Sequence, residues 1–380
     1  MSISVVPVRS RRERRDFMEL PRRLFQDTPQ WVPFLVSDYR RLFRRAHPFL
    51  DHAEVEFYLV YRETVAVARV MMIHNERYNR HHGTRAAHFY FCDFTDDEAV
   101  VDTLFTTMEE WARRRELTAL MGPLFMGATL GGGVLVDGFQ HTAAMTMMPY
   151  NHPYYPGHYE RRGFQKRFDL LSLFIDPATF RVPPRVERLA EHVRRRGRIK
   201  VVEFRSKREL RRIATRVAEL YNPTLAIHEE NYPLTEDELR YLIKELLVIA
   251  RPHLEKVITY DDRIVGYLFG FPDLSPALQR NGGRLTPAGI LRLLGEMRRP
   301  GRLILNGMGI LEEYRNIGGN ALLYSELART AGNSPEANVR IAEIVQVNEH
   351  TDLMLSDLRT LGAEVAKTHR VYTRDLPRNH

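Results

Sequence analysis

The stretch Gly309-Ile310-Leu311-Glu312-Glu313-Tyr314-Arg315-Asn316-Ile317-Gly318-Gly319-Asn320-Ala321-Leu322-Leu323 constrains the fold of this chain more than any other. It joins a strand-like apolar run, Arg302 to Ile310, to a helix-like run, Ala321 to Ala331. A strand, a short loop with two glycines and an apolar helix start converge backbone N–H groups on one spot. The first N–H groups of a helix have no intrahelical acceptor, and the positive end of the macrodipole stands behind them. Such a corner accepts an anion, and Arg315 adds a planar, permanently charged fork suited to phosphate. The same glycines also make an ordinary turn between a strand and a helix, so the flanking pattern has to decide.

That pattern is regular. Val339 to Val347 reads as a buried strand ending at Asn348, and a helix pattern from Thr351 to Leu361 closes on Gly362-Ala363. An alternating stretch, Val365 to Leu376, carries Tyr372. Upstream, Lys256 to Tyr260 and Ile264 to Phe271 flank Asp261-Asp262-Arg263, a hairpin with turn chemistry at its tip. The strand Val201 to Arg205 leads into a helix opened by the capping box Ser206-x-x-Glu209. The first half repeats the plan more faintly. A short strand, Ile3 to Val8, precedes an arginine-rich helix; Glu54 to Tyr61 and Val65 to Ile73 pair; Ala87 to Phe91 is a strand. Thr95-x-x-Glu98 reads as a capping box opening a helix to about Arg115, followed by the strands Leu117 to Gly122 and Phe168 to Phe174.

The order of elements and the loop resemble the GNAT acyltransferase superfamily, whose pyrophosphate loop reads Arg/Gln-x-x-Gly-x-Gly/Ala. Arg315 and Gly318 match it, and Asn320 stands where a small residue is usual. In the first half, Asn151 and Tyr159-Glu160-Arg161-Arg162-Gly163-Phe164 resemble the helix and turn near the end of the same fold. The whole chain resembles a group of bacterial GNAT proteins. His47-Pro48-Phe49, Glu54-Val55-Glu56-Phe57, Gly122-Pro123, Gly138-Phe139, Tyr150-Asn151-x-Pro153-Tyr154-Tyr155 and Asp261 to Tyr267 carry that likeness. The implied class is α+β (α/β): two tandem GNAT-like folds, each a mixed, mostly antiparallel sheet flanked by helices. Residues 1–178 form a degenerate domain on the acceptor side, 179–199 a basic linker or helix, and 200–380 the domain with the acyl-CoA loop. In the first copy the corresponding loop, Phe91 to Glu98, has no glycine and four acids, which repel a pyrophosphate.

The resemblance implies an N-acyltransferase that moves an acyl group from acyl-CoA, acetyl or longer, to a primary amine. The cofactor contacts it implies are Met308, Gly309, Ile310, Arg315, Asn316, Gly318, Gly319, Asn320, Ala321 and Asn348, with backbone donors near Met308 to Ile310 facing the oxyanion. Glu229 and Glu230, in the segment His228 to Leu234, are the expected bases. The acid usually comes from a Tyr on the helix Thr351 to Leu361, which holds none; Tyr372 and Tyr324 are the substitutes, with Tyr372 on the last strand better placed for a cleft. Tyr150 to Tyr159 and the Gly127 to Gly133 loop would wall the acceptor pocket. Tandem GNAT folds also occur in aminoacyl-tRNA-dependent peptidoglycan transferases, which use no CoA, and a non-catalytic or lipid-surface-binding protein is a third reading.

Composition bounds these readings. The lone cysteine, Cys92, excludes an intrachain disulfide and a thiolate cluster, which fits a reducing, cytoplasmic setting. No apolar run approaches a membrane span, and the arginine-rich N-terminus, interleaved with acids, is no signal peptide. Net charge is +8. Residues 1–50 hold eleven Arg against five acids, and residues 181–216 hold fourteen Arg or Lys against four. No RNA- or DNA-binding motif accompanies them, so nucleic acid is not the expected partner. With amphipathic sequence such as Phe17-Met18, Leu20 and Leu24-Phe25, the clusters 9–23 and 194–212 could instead meet an anionic membrane at its inner face. The acceptor stays open between a small-molecule and a lipidic amine. No metal is expected: Asp93, Asp96, Asp97 and His88 match no ligand spacing. Gly131-Gly132-Gly133 lacks the ending of a P-loop, and His74, His81, His82 and His88 read as surface histidines.

Overall fold

The computed structural model describes residues 2–125, 130–145, 147–333 and 339–377. Gly127 to Thr129 of the Gly127 to Gly133 loop lie outside them. Two compact units form: residues 1–171, 275–290 and 366–380 make the first, and 172–274 with 291–365 the second.

In chain order the first unit begins with β1 (Ile3–Pro7), α1 (Arg11–Leu24), α2 (Val36–Phe43), β2 (Ala53–Arg62), β3 (Val65–Asn75), α3 (Glu76–His82) and β4 (Ala86–Phe94). It continues with α4 (Glu98–Arg113), β5 (Ala119–Gly122), β6 (Val134–Asp137), α5 (Tyr155–Arg161) and the start of β7 (Gln165–Ile175). Then follow α6 (Pro184–Arg196), β8 (Ile199–Val202), α7 (Lys207–Ala218), α8 (Tyr221–Leu225), α9 (Glu236–Ile249), β9 (Lys256–Tyr260), β10 (Arg263–Pro272), α10 (Ser275–Asn281) and α11 (Pro287–Arg298). The chain closes with β11 (Arg302–Ile310), α12 (Gly319–Asn333), β12 (Ile341–Asn348), α13 (Asp352–Thr360) and β13 (Glu364–Asp375).

Both units carry the same strand plan. In the first, β1 to β4 pair antiparallel in sequence and β4 pairs parallel with β5. In the second, β8 to β11 pair antiparallel and β11 pairs parallel with β12. The parallel step needs a crossover, and α4 and α12 supply it. The division differs from the expected one at the C-terminus. β13 pairs antiparallel with β5, Tyr372 opposite Gly122, so the last strand completes the first unit's sheet. Segment 275–290 joins the first unit as well. A strand inserted into a distant sheet leaves no mark in a local pattern, because period-two alternation reports burial and not partner.

The first core is aromatic. Trp111, Phe89, Phe94, Phe105, Tyr155, Tyr159 and Tyr372 are fully buried together. Phe17 and Leu20 of α1 and Phe25 after it are buried too, so the apolar side of this basic helix is spent on the core rather than on a membrane. Leu210 does the same for the second cluster. Two local expectations change. The cap of α4 is Asp97, which accepts the Val100 N–H at 3.2 Å; Thr95 lies outside the helix. His88 is buried, not at the surface, and burial, reinforced by His74 and His82, drives its pKa down to about 3, so it is neutral.

Candidate active site

The expected cofactor loop folds as a strand-to-helix corner. Leu322 N–H donates to Gly318 O, so Gly318 is the cap and Gly319, Asn320 and Ala321 present helix-start N–H groups without intrahelical acceptors. Gly318 sits at φ +89°, and a Cβ there would lie 2.5 Å from Cγ2 of Val193 on α6. Only glycine meets both demands. Asn316 also takes the left-handed conformation, φ +61°. Arg315 spends its Nε on Ile310 O at 3.3 Å and makes no ion pair among the described residues, which keeps its outer edge for an anion. Asn320, the departure from the motif, turns its Nδ2 to Asp357 Oδ2 of α13 at 3.1 Å.

Above this corner β11 and β12 part. Their parallel pairing runs from Arg302 opposite Ile341 to Leu305 opposite Ile344 and stops there. Both strands are kinked at the parting: Gly307 has φ +97° and Gln346 φ +60°. Toward β10, β11 carries a bulge, since Leu268 faces Met308 but Gly270 faces Leu305. From Met308 to Ile310 one edge of β11 stays paired with β10, while the other, with its alternate N–H groups, faces the gap. This edge includes the Met308 to Ile310 backbone, the donors expected to face the oxyanion.

An apolar pocket opens at this gap. It holds about 840 Å³ of empty space, mouth included, and Leu305, Gly307, Met308, Tyr324, Ala328 and Leu358 are among its lining. Tyr324 thus belongs to a greasy wall rather than to a polar cleft.

A polar cluster belongs to the same unit. Asn348, at the end of β12, donates from Nδ2 to Glu230 Oε2 at 2.6 Å and accepts the His350 N–H at 2.9 Å. Burial raises the pKa of Glu230, with Glu229 adding repulsion and Asn348 opposing it. His228 is held below its ordinary value by burial and then by the Arg315 charge, so the cofactor loop and the base segment share one field. The structure thus brings Glu229, Glu230, Asn348 and Arg315 into one neighbourhood. Tyr221 and Thr224 in it escaped the sequence reading, and Tyr267 entered only as part of the Asp261 to Tyr267 likeness. Tyr267 shares a hydrogen bond with Thr224 Oγ1 at 3.2 Å, and burial pushes its pKa up to about 12. Thr224 and Tyr267 crowd Gly309, where a Cβ would lie 2.6 Å from Thr224 Oγ1. Glycine at 309 was the available signal, since it marks a close approach.

Tyr372 is placed elsewhere. It lies in the first unit's core, stacked on Tyr159 at 5.1 Å, and its hydroxyl donates to Glu160 Oε1 at 3.0 Å. It belongs to the first unit, and its hydroxyl already has an acceptor. The alternating pattern around it predicted a cleft-facing side chain, but the strand is buried in a sheet.

The first unit has the same parting and has closed it. β4 and β5 pair only from Ala86–Ala119 to His88–Met121. A bulge at the same place carries Phe91 at φ +46°. Here the backbone of β4 is served by the protein itself: Phe94 N–H donates to Tyr155 Oη at 3.0 Å, and Tyr154 Oη donates to Phe94 O at 2.7 Å. In the loop, Asp97 pairs with Arg62, Asp96 with His158 at 2.7 Å, and Glu98 with Arg161 and Arg162 at 2.8 and 2.7 Å. These carboxylates occupy the cations that an incoming phosphate would need.

No family model matches the chain. In sequence it is similar to protein YghO of Escherichia coli strain K12, 26% identical over 373 residues, or 95% of this chain and 92% of that one. It is also similar to the bacterial ceramide synthase of Caulobacter vibrioides, 27% identical over 381 residues and 98% of both chains. In structure it resembles a tandem GNAT protein from the clavulanic acid biosynthesis pathway, with a TM-score of 0.58 at 13% identity over the full length of both. With two copies of the strand plan and a parted parallel pair in each, the protein carries a tandem GNAT fold.

Proposed function

We infer that the protein is an N-acyltransferase whose second unit takes an acyl thioester, acyl-CoA, as donor and a primary amine as acceptor. The observation that carries this reading is the parted β11–β12 pair, with an anion corner at one end and an apolar pocket in the gap. The residues fit such a donor. The N–H groups of Gly319 to Ala321 and the free edge of Arg315 receive the pyrophosphate, and the exposed edge of β11 takes the amide-bearing arm. The pocket lined by Leu305, Ala328 and Leu358 receives the acyl chain. Its apolar wall favours a fatty acyl group over acetyl. A long-chain donor also agrees with likeness to a protein named ceramide synthase, which points to a lipidic amine as acceptor.

The chemistry then needs little beyond positioning. Glu230 takes a proton from the ammonium or amine of the acceptor, and its raised pKa makes it a better base near neutrality. The amine nitrogen forms a C–N bond to the thioester carbon, and N–H groups on the free edge of β11 receive the charge that develops on oxygen. The C–S bond breaks, and the sulfur leaves as a thiolate. A thiol of pKa about 8.5 leaves without an acid at hand, so no tyrosine has to stand in for Tyr372.

Thiol release from acyl-CoAs of graded chain length, with a panel of primary amines including long-chain amino alcohols, tests the reading. Turnover rising with chain length supports it. Donor binding without turnover for any amine would leave only a binding protein.

A further inference from the structure

α11 is a helix with an exposed apolar face, though Leu293 and Met297 on it are half-buried. Gly289 is its only buried position. Leu291 exposes 70% of its surface, Ile290 46%, Leu294 43%, and Leu285 just before the helix 49%. Positions 290, 291 and 294 fall side by side on one helical face. An isolated helix of this length is marginal in water, and a contiguous exposed apolar patch marks a docking site. The sequence around it is basic: residues 275–301 hold five arginines against Glu296 alone, and of these Arg284 is paired with Glu19. Arg298 and Arg299 are exposed at the end of the helix.

We propose that α11 docks the protein on an anionic lipid surface, with Ile290, Leu291 and Leu294 entering the interface and the flanking arginines meeting the headgroup phosphates. An apolar face bordered by arginine is the arrangement of an interfacial helix, because arginine stems lie along apolar surface while their heads stay at the phosphates. Charge complementarity selects lipid over a second copy of the chain. Arg298 and Arg299 are exposed just beyond Leu294, and Glu296 is the lone acid of the helix. The basic segments 9–23 and 194–212 do not compete for the role, since Phe17, Leu20 and Leu210 are already buried. The inference is independent of the reaction, because it rests on no residue of the donor site.

Co-sedimentation of the full-length protein with vesicles decides it, using phosphatidylcholine alone and phosphatidylcholine mixed with phosphatidylglycerol. The bound fraction rises with phosphatidylglycerol and falls with added salt, as screening demands. Leu291→Asp with Leu294→Asp lowers partitioning roughly tenfold or more, and Arg298→Glu with Arg299→Glu removes most of the salt-sensitive part. These positions are exposed, so the variants keep the wild-type unfolding temperature. Three results would overturn the proposal. The protein stays in the supernatant at low salt; the α11 variants bind as well as wild type; or light scattering finds a dimer that Leu291→Asp dissolves while vesicles bind nothing.

Discussion

β4 of the first unit and β11 of the second are the same strand solved twice. Each is antiparallel to one neighbour and parallel to the next, each is bulged, and each parts from its parallel partner halfway along. The difference lies in what satisfies the edge so exposed. In the first unit Tyr154 and Tyr155 reach the Phe94 backbone and close it. In the second a pocket remains and Arg315 keeps an open guanidinium edge. A buried backbone group has to be paired somewhere, so a parted strand is either plugged by the protein or left for a ligand. On the proposed reading the fold alone does not make a donor site; the unfilled edge does.

The largest effect expected from breaking this comparison is at Glu230. Glu230→Gln keeps the size and the Asn348 contact but removes the base. Turnover falls roughly 10²–10⁴-fold, while donor affinity measured by calorimetry stays within about threefold. The sign of the pH dependence follows from the raised pKa: the basic form fills only above it. The acid limb of kcat/KM therefore lies above the ordinary carboxylate range and vanishes in Glu230→Gln. Glu98→Gln, the carboxylate at the closed loop of the first unit, leaves turnover intact. A limb that persists in Glu230→Gln would hand the base to another group.

Next in size is the anion corner. Arg315→Glu replaces a charge-assisted bond to phosphate with repulsion, so acyl-CoA affinity drops roughly 10–100-fold. Gly318→Ala acts on folding instead: the left-handed φ and the approach of Val193 cost about 1–3 kcal/mol, read as a lowered unfolding midpoint. Equal donor affinity in Arg315→Glu would move the pyrophosphate off this loop.

How much of this could be read from sequence follows the range of each interaction. The strand, loop and helix around Gly318 were legible because a turn and a helix start are local, and β9 and β11 fall where the apolar runs put them. Glu230 and Asn348 were named separately, but their 2.6 Å contact joins residues far apart in the chain. The plugging role of Tyr154 and Tyr155 was hidden for the same reason, although both stand in a motif that was noticed. The strand partner of Tyr372 was not legible because alternation cannot say which sheet a strand joins. α11 went unread because a helix with uncovered leucines looks like a core helix until its surroundings are known.

The pocket gives a smaller, selective effect. Ala328→Phe on α12 fills part of the lining and excludes the far end of a long chain. Each methylene kept out of the pocket is worth about 0.8 kcal/mol, so kcat/KM for long-chain donors falls roughly tenfold or more while acetyl-CoA is unaffected. A uniform loss across chain lengths would mean the helix had shifted and the pocket does not hold the chain.

The smallest change concerns the residue that breaks the motif. Asn320 stands where the family favours glycine or alanine, and a side chain there could crowd the phosphates. The structure removes the conflict, because Nδ2 is drawn 3.1 Å from Asp357 on α13 and the backbone N–H stays in the first turn of α12. Asn320→Ala deletes a half-buried hydrogen bond worth about 1 kcal/mol and leaves the N–H in place. Donor affinity therefore changes less than about threefold, with a slight loss of stability. Asn320→Asp differs in kind: it sets a carboxylate beside Asp357 and next to the phosphate corner, and both contacts repel. Calorimetry with the two variants separates the roles. A loss in Asn320→Asp alone fits a residue tolerated because it is turned away. A tenfold gain in Asn320→Ala would show that the side chain had been obstructing the donor, and that this corner is partway toward the closed state of its counterpart.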